Sequence, residues 1–216
     1  MKSYFKAPKV SGAVIKRLPM YYRFLFSLYN NHVERISSRE LSHMMGITSS
    51  QLRQDLSHFG EFGQQGYGYR VDELLKIISD ILGITNHYTG VIIGAGNIGR
   101  AILTYPGFIQ RGFMVMGIFD NDPKKIGQTA RDLYIKPMDE LPQFLQEEHI
   151  DIGIIVTPAK SAQIAADVLV ENGVKGIWNF APTDLKIADN VIVENMYLGD
   201  SLLELFYKIK ERSESE

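Results

Sequence analysis

The chain has 216 residues, 23 Lys+Arg against 25 Asp+Glu, and 45 % hydrophobic residues. That is the length of one large or two small globular domains, and it excludes a disordered or low-complexity chain. There is no cysteine, so disulfides, thiolate metal sites, Fe–S clusters and thiol redox switches are excluded. The five histidines are scattered, and no metal site is expected. No apolar run approaches the ~18 residues of a membrane span, and the N-terminus lacks the pattern of a secretory signal. The expectation is a cytoplasmic protein.

The net charge of −2 hides a division. Residues 1–70 carry +6 and residues 71–216 carry −8. A basic first third suggests a polyanionic partner.

In chain order, Leu18, Tyr21, Tyr22, Leu25, Leu28 and Tyr29 recur at helical spacing. Ser37 with Glu40 three residues on forms a capping box, which opens a short helix over Leu41, Met44 and Met45. Gly46 ends that helix, Ile47 can plug the core, and Thr48 can cap a second helix running to Phe59. Two short helices joined by a glycine turn are the helix-turn-helix pattern. The outward side chains of the second helix are Ser49, Ser50, Gln51, Arg53, Gln54 and Ser57, hydrogen-bonding groups suited to base edges and phosphates. Taken alone, such a helix reads equally as a solvated face. Residues 60–70 then place four glycines among aromatics, which predicts a tight β-hairpin carrying Gln65 and Tyr67. A hairpin directly after a recognition helix is a wing. Basic charge, helix-turn-helix and wing together point to double-stranded DNA.

Val71 to Leu82 is a helix with Leu74, Leu75, Ile78 and Leu82 on one face, ended by Gly83. The strand Thr89–Ile93 leads directly into Gly94-Ala95-Gly96-Asn97-Ile98-Gly99 and a further helix. The next strand, Met114–Phe119, ends at Asp120, 21 residues past Gly99. A GxGxxG fingerprint between strand and helix, with an acid at the end of the following strand, is the dinucleotide-binding pattern. Gly94 makes the turn, Gly96 admits the pyrophosphate, and Gly99 lets helix and strand pack closely. Asp120 can bind the adenosine ribose hydroxyls and repel a 2′-phosphate, which favours NAD(H) over NADP(H); Lys124 and Lys125 lie nearby.

Alternation then continues: a helix over 138–149, a strand over 151–157 stopped by Pro158, a helix over 161–172, a strand over 176–180 and a short strand over 190–194. This predicts an α/β fold with a parallel sheet covered on both faces. Ligands sit at the C-terminal strand ends, which puts Asp120, Thr157, Pro158, Asn179 and Phe180 on one rim. The final helix, from Gly199, carries a stripe of Leu202, Leu205, Phe206 and Ile209 with nothing after it to pack on. It can dock on its own domain or on a second subunit. Predicted boundaries are 1–84 for a winged-helix DNA-binding domain, 85–198 for a Rossmann domain and 199–216 for the C-terminal helix.

Two other readings stay open at this stage. One is a small NAD-dependent oxidoreductase using Tyr105 or Lys160. Against it, residues 85–216 hold little beyond a nucleotide domain, and His149 lies far from the rim. The other is a DNA-binding protein whose Rossmann domain serves only to dimerise.

The combination resembles the Rex family of bacterial redox-sensing transcriptional repressors over nearly the whole chain. The resemblance is carried by Arg17-Leu18 with Tyr22-Arg23, by 51–60 (QLRQDLSHFG) and by 66–69 (GYGY). It continues in 94–99, 105–108 (YPGF), 156–158 (VTP) and 179–182 (NFAP). It implies no catalytic residue. It implies a homodimer that binds palindromic operators when NAD+ prevails and leaves DNA when NADH binds. It further implies a C-terminal helix exchanged between subunits. Tyr105 and Asn179, Phe180 and Ala181 would line the nicotinamide pocket, and Arg23 would lie at the domain junction. The chain departs from the family pattern at Gln54, where Lys is frequent, and at Gln65, where Arg is frequent. It also departs at Tyr197, where many members place an Asp that engages the arginine matching Arg23.

Overall fold

The computed structural model describes residues 10–60 and 67–214. The chain divides into two compact units, Met1–Thr85 and Asn86–Glu216.

The first unit starts with α1 (Gly12–Asn30), whose Ser11 side chain accepts the Val14 N–H. This helix begins a turn and a half before Leu18 and runs through Pro19. Proline removes one i→i−4 bond, but the carbonyl it leaves free is that of Ile15, an exposed residue that water can reach. β1 (Arg35–Ile36) precedes α2 (Ser38–Met45), where the capping box of Ser37 and Glu40 is present in full. Gly46 takes the left-handed φ of 66° that stops α2, and Thr48 caps α3 (Ser49–Ser57) through the Gln51 N–H. Leu41 and Met45 are buried, whereas Met44 faces out. The helical period places Met44 a quarter turn from Met45, beyond the reach of this small core.

The predicted hairpin over 60–70 falls largely outside the described residues. What is described is β2 (Tyr69–Arg70), which pairs antiparallel with Arg35–Ile36. A wing strand therefore closes on the segment before α2. Gly68 is required there: a Cβ would lie 2.5 Å from the Ile36 carbonyl oxygen, and its φ is +70°. α4 (Val71–Leu82) packs along α1, and Leu18, Tyr21, Leu25, Leu52, Leu56, Val71, Leu74 and Ile78 form one core.

The second unit is a seven-stranded sheet in the order β5-β6-β4-β3-β7-β8-β9. β3 (Tyr88–Ile93), β4 (Phe113–Asp120), β7 (Ile152–Ile155), β8 (Gly176–Asn179) and β9 (Ile192–Asn195) run parallel. β5 (Thr129–Ala130) and β6 (Leu133–Pro137) are a tight hairpin on one edge; β6 runs parallel to β4. No sequence expectation covers this hairpin. It is short, interrupted by Arg131, Asp132 and Lys136, and shows no sustained period of two. α6 (Leu141–Glu147) and α7 (Ala159–Glu171) cover one face through Leu141, Leu145, Ala162 and Leu169. α5 (Asn97–Thr104) covers part of the other with Ile102 and Leu103. The strand order reverses between β3 and β7, and the crevice at their C-terminal ends is where such sheets bind ligands. α8 (Asp200–Glu214) ends the fold, and every one of its residues is exposed.

Candidate functional site

The crevice is built by three glycines with separate duties. Gly94 follows β3 with φ +111°, its N–H bonds the Phe119 carbonyl at 2.7 Å, and a Cβ would strike the Val156 carbonyl oxygen at 2.8 Å. Gly99 has no room either: a Cβ would lie 2.0 Å from the Gly94 carbonyl oxygen, so α5 rests directly on the turn. A Cβ on Gly96 meets nothing within 4 Å. The chain therefore has no packing reason for glycine at 96. The vacant space lies at the N-cap of α5, whose first-turn N–H groups lack helical acceptors and favour an anion. Gly96 is thus a cradle that fits a pyrophosphate. Asn97 and Ile98 are exposed beside it, and Ala95 is buried behind it.

Asp120 stands at the end of β4. One carboxylate oxygen accepts the Ala95 N–H at 2.7 Å and Lys125 Nζ at 2.9 Å; the other accepts the Asp122 N–H at 2.8 Å. Burial opposes its ionisation, but the Asp122 N–H, Lys125 and the Ala95 N–H outweigh it and hold the carboxyl below its usual range. Lys125 is therefore the partner of Asp120, an ion pair that sequence alone leaves unassigned. A carboxylate offers about four acceptor positions, which leaves capacity for a ribose hydroxyl. Just past the end of β7, Thr157 Oγ1 is buried with no hydrogen-bond partner among the described residues. Such a group costs free energy until something satisfies it, and it sits on the crevice rim. Pro158, exposed, caps α7.

An aromatic run leads from the end of α5 back to Phe180 at the rim. Tyr105 is 46 % exposed and packs edge-on against Phe108 with centroids 4.9 Å apart, with the Arg111 guanidinium 5.8 Å from its ring. Gly107 makes this possible, since a Cβ would lie 2.5 Å from that ring. Phe108 contacts Trp178, and Trp178 lies 4.7 Å from Phe180, centroid to centroid. Phe108, Arg111 and Trp178 escape sequence reasoning because the fingerprint names only the phosphate end.

Two rim residues stand differently from expectation. Asn179 is 0 % exposed and its amide is spent internally. Nδ2 donates to the Thr183 carbonyl and to Asn195 Oδ1, both at 2.9 Å, and Oδ1 accepts the Ala181 N–H at 3.0 Å. Ala181 is buried too. Asn179 therefore stands behind the loop and shapes it, while Phe180 is the side chain at its surface. His149 contacts Asp151 at 3.1 Å at the opposite end of the strands, away from the rim.

In the first unit, Ser50, Arg53, Gln54 and Ser57 of α3 are exposed. Arg53 reaches Ser38 Oγ at 3.2 Å and Ser50 Oγ at 3.4 Å, which braces its guanidinium outside the helix. Ser49 and Gln51 are half-buried and committed elsewhere: Ser49 Oγ contacts Ser42 Oγ at 2.9 Å, and Gln51 Nε2 donates to Asp55 at 2.7 Å. Asp55 itself is 1 % exposed. Arg17 grips both its oxygens at 2.6 and 2.8 Å, and the Tyr21 hydroxyl donates to it. Burial opposes ionisation of Asp55, but hydrogen bonds from Arg17, Tyr21 and Gln51 hold its carboxyl below the usual range. Tyr67 is exposed, and its carbonyl accepts from Arg35 at 3.4 Å. Gln65 lies outside the described residues. Arg23 is exposed, its guanidinium 5.6 Å from the Phe24 ring. The Tyr197 hydroxyl donates to Asp184 at 2.5 Å. No cluster among the described residues could hold a metal, and no described helix is long and apolar enough to cross a membrane.

A helix-turn-helix unit joined to a dinucleotide-type Rossmann unit defines a nucleotide-responsive DNA-binding protein. Residues 85–183 match the family described as CoA binding domain, and residues 9–57 match the putative DNA-binding protein N-terminus. The chain is 54 % identical over 202 residues to the redox-sensing transcriptional repressor Rex of Clostridium novyi, covering 94 % of this chain and 96 % of that one. It is 52 % identical over 209 residues to the Rex of Clostridium tetani, covering 97 % and 99 %. The crystal structure of RSP in complex with NAD+ and operator DNA superimposes with a TM-score of 0.89 at 50 % identity, over 95 % of both chains. The RSP complex with NADH gives 0.87 at 47 % identity, over 95 % of this chain and 97 % of that one. The chain belongs to the Rex family of redox-sensing transcriptional repressors.

Proposed function

We propose that this chain is a cytoplasmic, homodimeric transcriptional repressor that reads the NADH/NAD+ ratio and releases palindromic operator DNA when NADH binds. The observation that carries the reading is the crevice, in which Gly96 leaves open space at a helix N-terminus beside the ionised Asp120. Its support comes from relatives named as repressors and from RSP, solved with NAD+ and operator DNA and with NADH. Those relatives carry repressor names, so the protein is a sensor and not an oxidoreductase.

In this reading residues 1–84 bind DNA, residues 85–198 bind the dinucleotide, and residues 199–216 are exchanged between subunits. Gly94, Gly96 and the start of α5 hold the pyrophosphate, Asp120 the adenosine ribose, and Thr157 offers its free hydroxyl to the ligand. Tyr105 and Phe180 meet the nicotinamide. When bound, the dinucleotide supplies the redox difference, one hydride and one positive charge. Ser50, Arg53, Gln54, Ser57 and the wing at Tyr67 face DNA, and Arg23 lies at the domain junction. Exchange of α8 is supported by its uncovered apolar stripe and by an apolar groove of about 370 Å³ on the sheet, lined by Phe108, Phe113, Ile152, Trp178 and Ile192.

A sensor must bind its two ligand forms with different consequences, because equal affinity for both protein states shifts nothing. The test is a band shift of the operator duplex bound by RSP, run at several NADH/NAD+ ratios. Release on raising the ratio is expected; operator binding indifferent to the ratio overturns the reading.

A further inference from the structure

The loop that carries Phe180 is tied to the base of α8 by three hydrogen bonds within one unit. The Met196 N–H donates to the Asn179 carbonyl at 2.7 Å, and Asn179 Nδ2 donates to Asn195 Oδ1 at 2.9 Å. Both follow from the pairing of Asn179 with Asn195 in the β8–β9 ladder. The third is of another kind. The Tyr197 hydroxyl donates at 2.5 Å to Asp184, and no ladder requires this contact. Asp184 is exposed and Tyr197 half-buried, so packing does not hold them together. An O–H···O⁻ bond to a carboxylate is among the stronger hydrogen bonds.

The bond sits where leverage is greatest. α8 buries nothing on its own chain, so its direction is set at its base, residues 195–199. At the other end, Asp184 closes the loop that Asn179 shapes through the Thr183 carbonyl and the Ala181 N–H. A shift of Phe180 or Ala181 is carried through this loop to Asp184, then through Tyr197 to the first turn of α8, where the Asp200 N–H bonds the Tyr197 carbonyl. We propose that Tyr197 and Asp184 are positioning residues, and that their hydrogen bond transmits occupancy of the nicotinamide end of the crevice to the direction of α8 and so to the operator-binding form of the dimer. This rests on the sensing reading above. It assigns regulation to a contact inside one subunit, and gives Asp184 a role.

The experiment uses full-length protein and two readouts: NADH affinity by calorimetry without DNA, and the NADH concentration that releases half of the operator. Coupling between two sites is measured by the difference between them. Tyr197→Phe removes only the hydroxyl. It is expected to leave NADH affinity within about twofold and to raise the half-release concentration roughly 5–10-fold, in the range of allosteric couplings. Asp184→Ala should match it, and the double variant should be no worse than either single one. Asp184→Asn keeps an acceptor oxygen and should restore most of the response. Half-release at the parent's NADH concentration in both Y197F and D184A overturns the proposal. So does an equal loss of NADH affinity and release, since that marks a residue of the site and not of the link. Failure of the parent to respond to NADH defeats the sensing reading instead, and is seen before any variant is made.

Discussion

Asp55 and Asp120 are both largely buried carboxylates held ionised against the cost of burial, yet they are furnished in opposite ways. Asp55 is enclosed by side chains: Arg17 from a helix 38 residues away in sequence, Tyr21 and Gln51. Its acceptor capacity is consumed by the fold, and it fastens α3 to α1. Asp120 is held by two backbone N–H groups and one lysine, and one of those N–H groups belongs to the glycine turn after β3. It remains at the rim, with capacity for a ligand. In the first unit buried charge is spent on rigidity; in the second it keeps acceptor capacity at the crevice rim.

The sharpest way to separate rigidity from recognition lies in the glycines flanking Asp120. Gly99→Ala drives a methyl group into the Gly94 carbonyl, and overpacking of this kind should cost about 3 kcal/mol of stability together with NADH binding. Gly96→Ala meets nothing, so it should melt like the parent while NADH affinity falls at least tenfold. Thermal unfolding and calorimetry on the two variants check this; equal melting losses would break the division of duties.

Asp55→Asn should destabilise the protein by roughly 2–3 kcal/mol, below the full range for a broken buried pair because Arg17 is partly exposed. Denaturant unfolding measures it. The sign with pH follows from the depressed carboxyl. Its contribution is present above the ordinary carboxylate range and is lost as pH falls through the lower folded value. Acidification should therefore cost the parent more stability than the Asn variant.

Asp120→Asn removes the charge and one of the two acceptor oxygens, so either the Ala95 or the Asp122 N–H loses its partner. NADH affinity should fall about tenfold, roughly 1.4 kcal/mol, and the preference over NADPH should shrink, because the 2′-phosphate no longer meets an anion. Calorimetry with both dinucleotides reads this; an undiminished preference would remove Asp120 from the ribose site. The smallest effect belongs to the surface. Arg53→Gln should weaken operator binding and lower the slope of log affinity against log salt by about 0.9 if Arg53 meets one phosphate. NADH affinity should not move.

Local chemistry made much of this legible in the sequence. The Ser37–Glu40 box, the Thr48 cap, the Gly94–Gly99 turn and the acid at 120 are each readable within a few residues or along one strand–helix–strand period. What stayed hidden depends on tertiary approach. Arg17 and Asp55 lie 38 residues apart and show no spacing that pairs them. Lys125 is near Asp120 in sequence, but only the fold turns it back onto the carboxylate. Asn179 looked like a rim residue because it ends a strand. It is buried because the next strand, β9, places Asn195 beside it. The β5–β6 hairpin is held by its neighbour β4 and not by any periodicity of its own.

The chain contains a single tryptophan, Trp178, and its ring lies tilted against that of Phe180, 4.7 Å between centroids, beside the crevice. The protein therefore holds a native optical label beside the site proposed for the nicotinamide. Excitation at the long-wavelength edge of indole absorption, beyond that of the eleven tyrosines, interrogates that one ring. Its emission colour and intensity follow the packing of the loop, and a reduced nicotinamide, which absorbs in the near ultraviolet where indole emits, would quench it. Each variant above can be followed through this signal without attaching a dye.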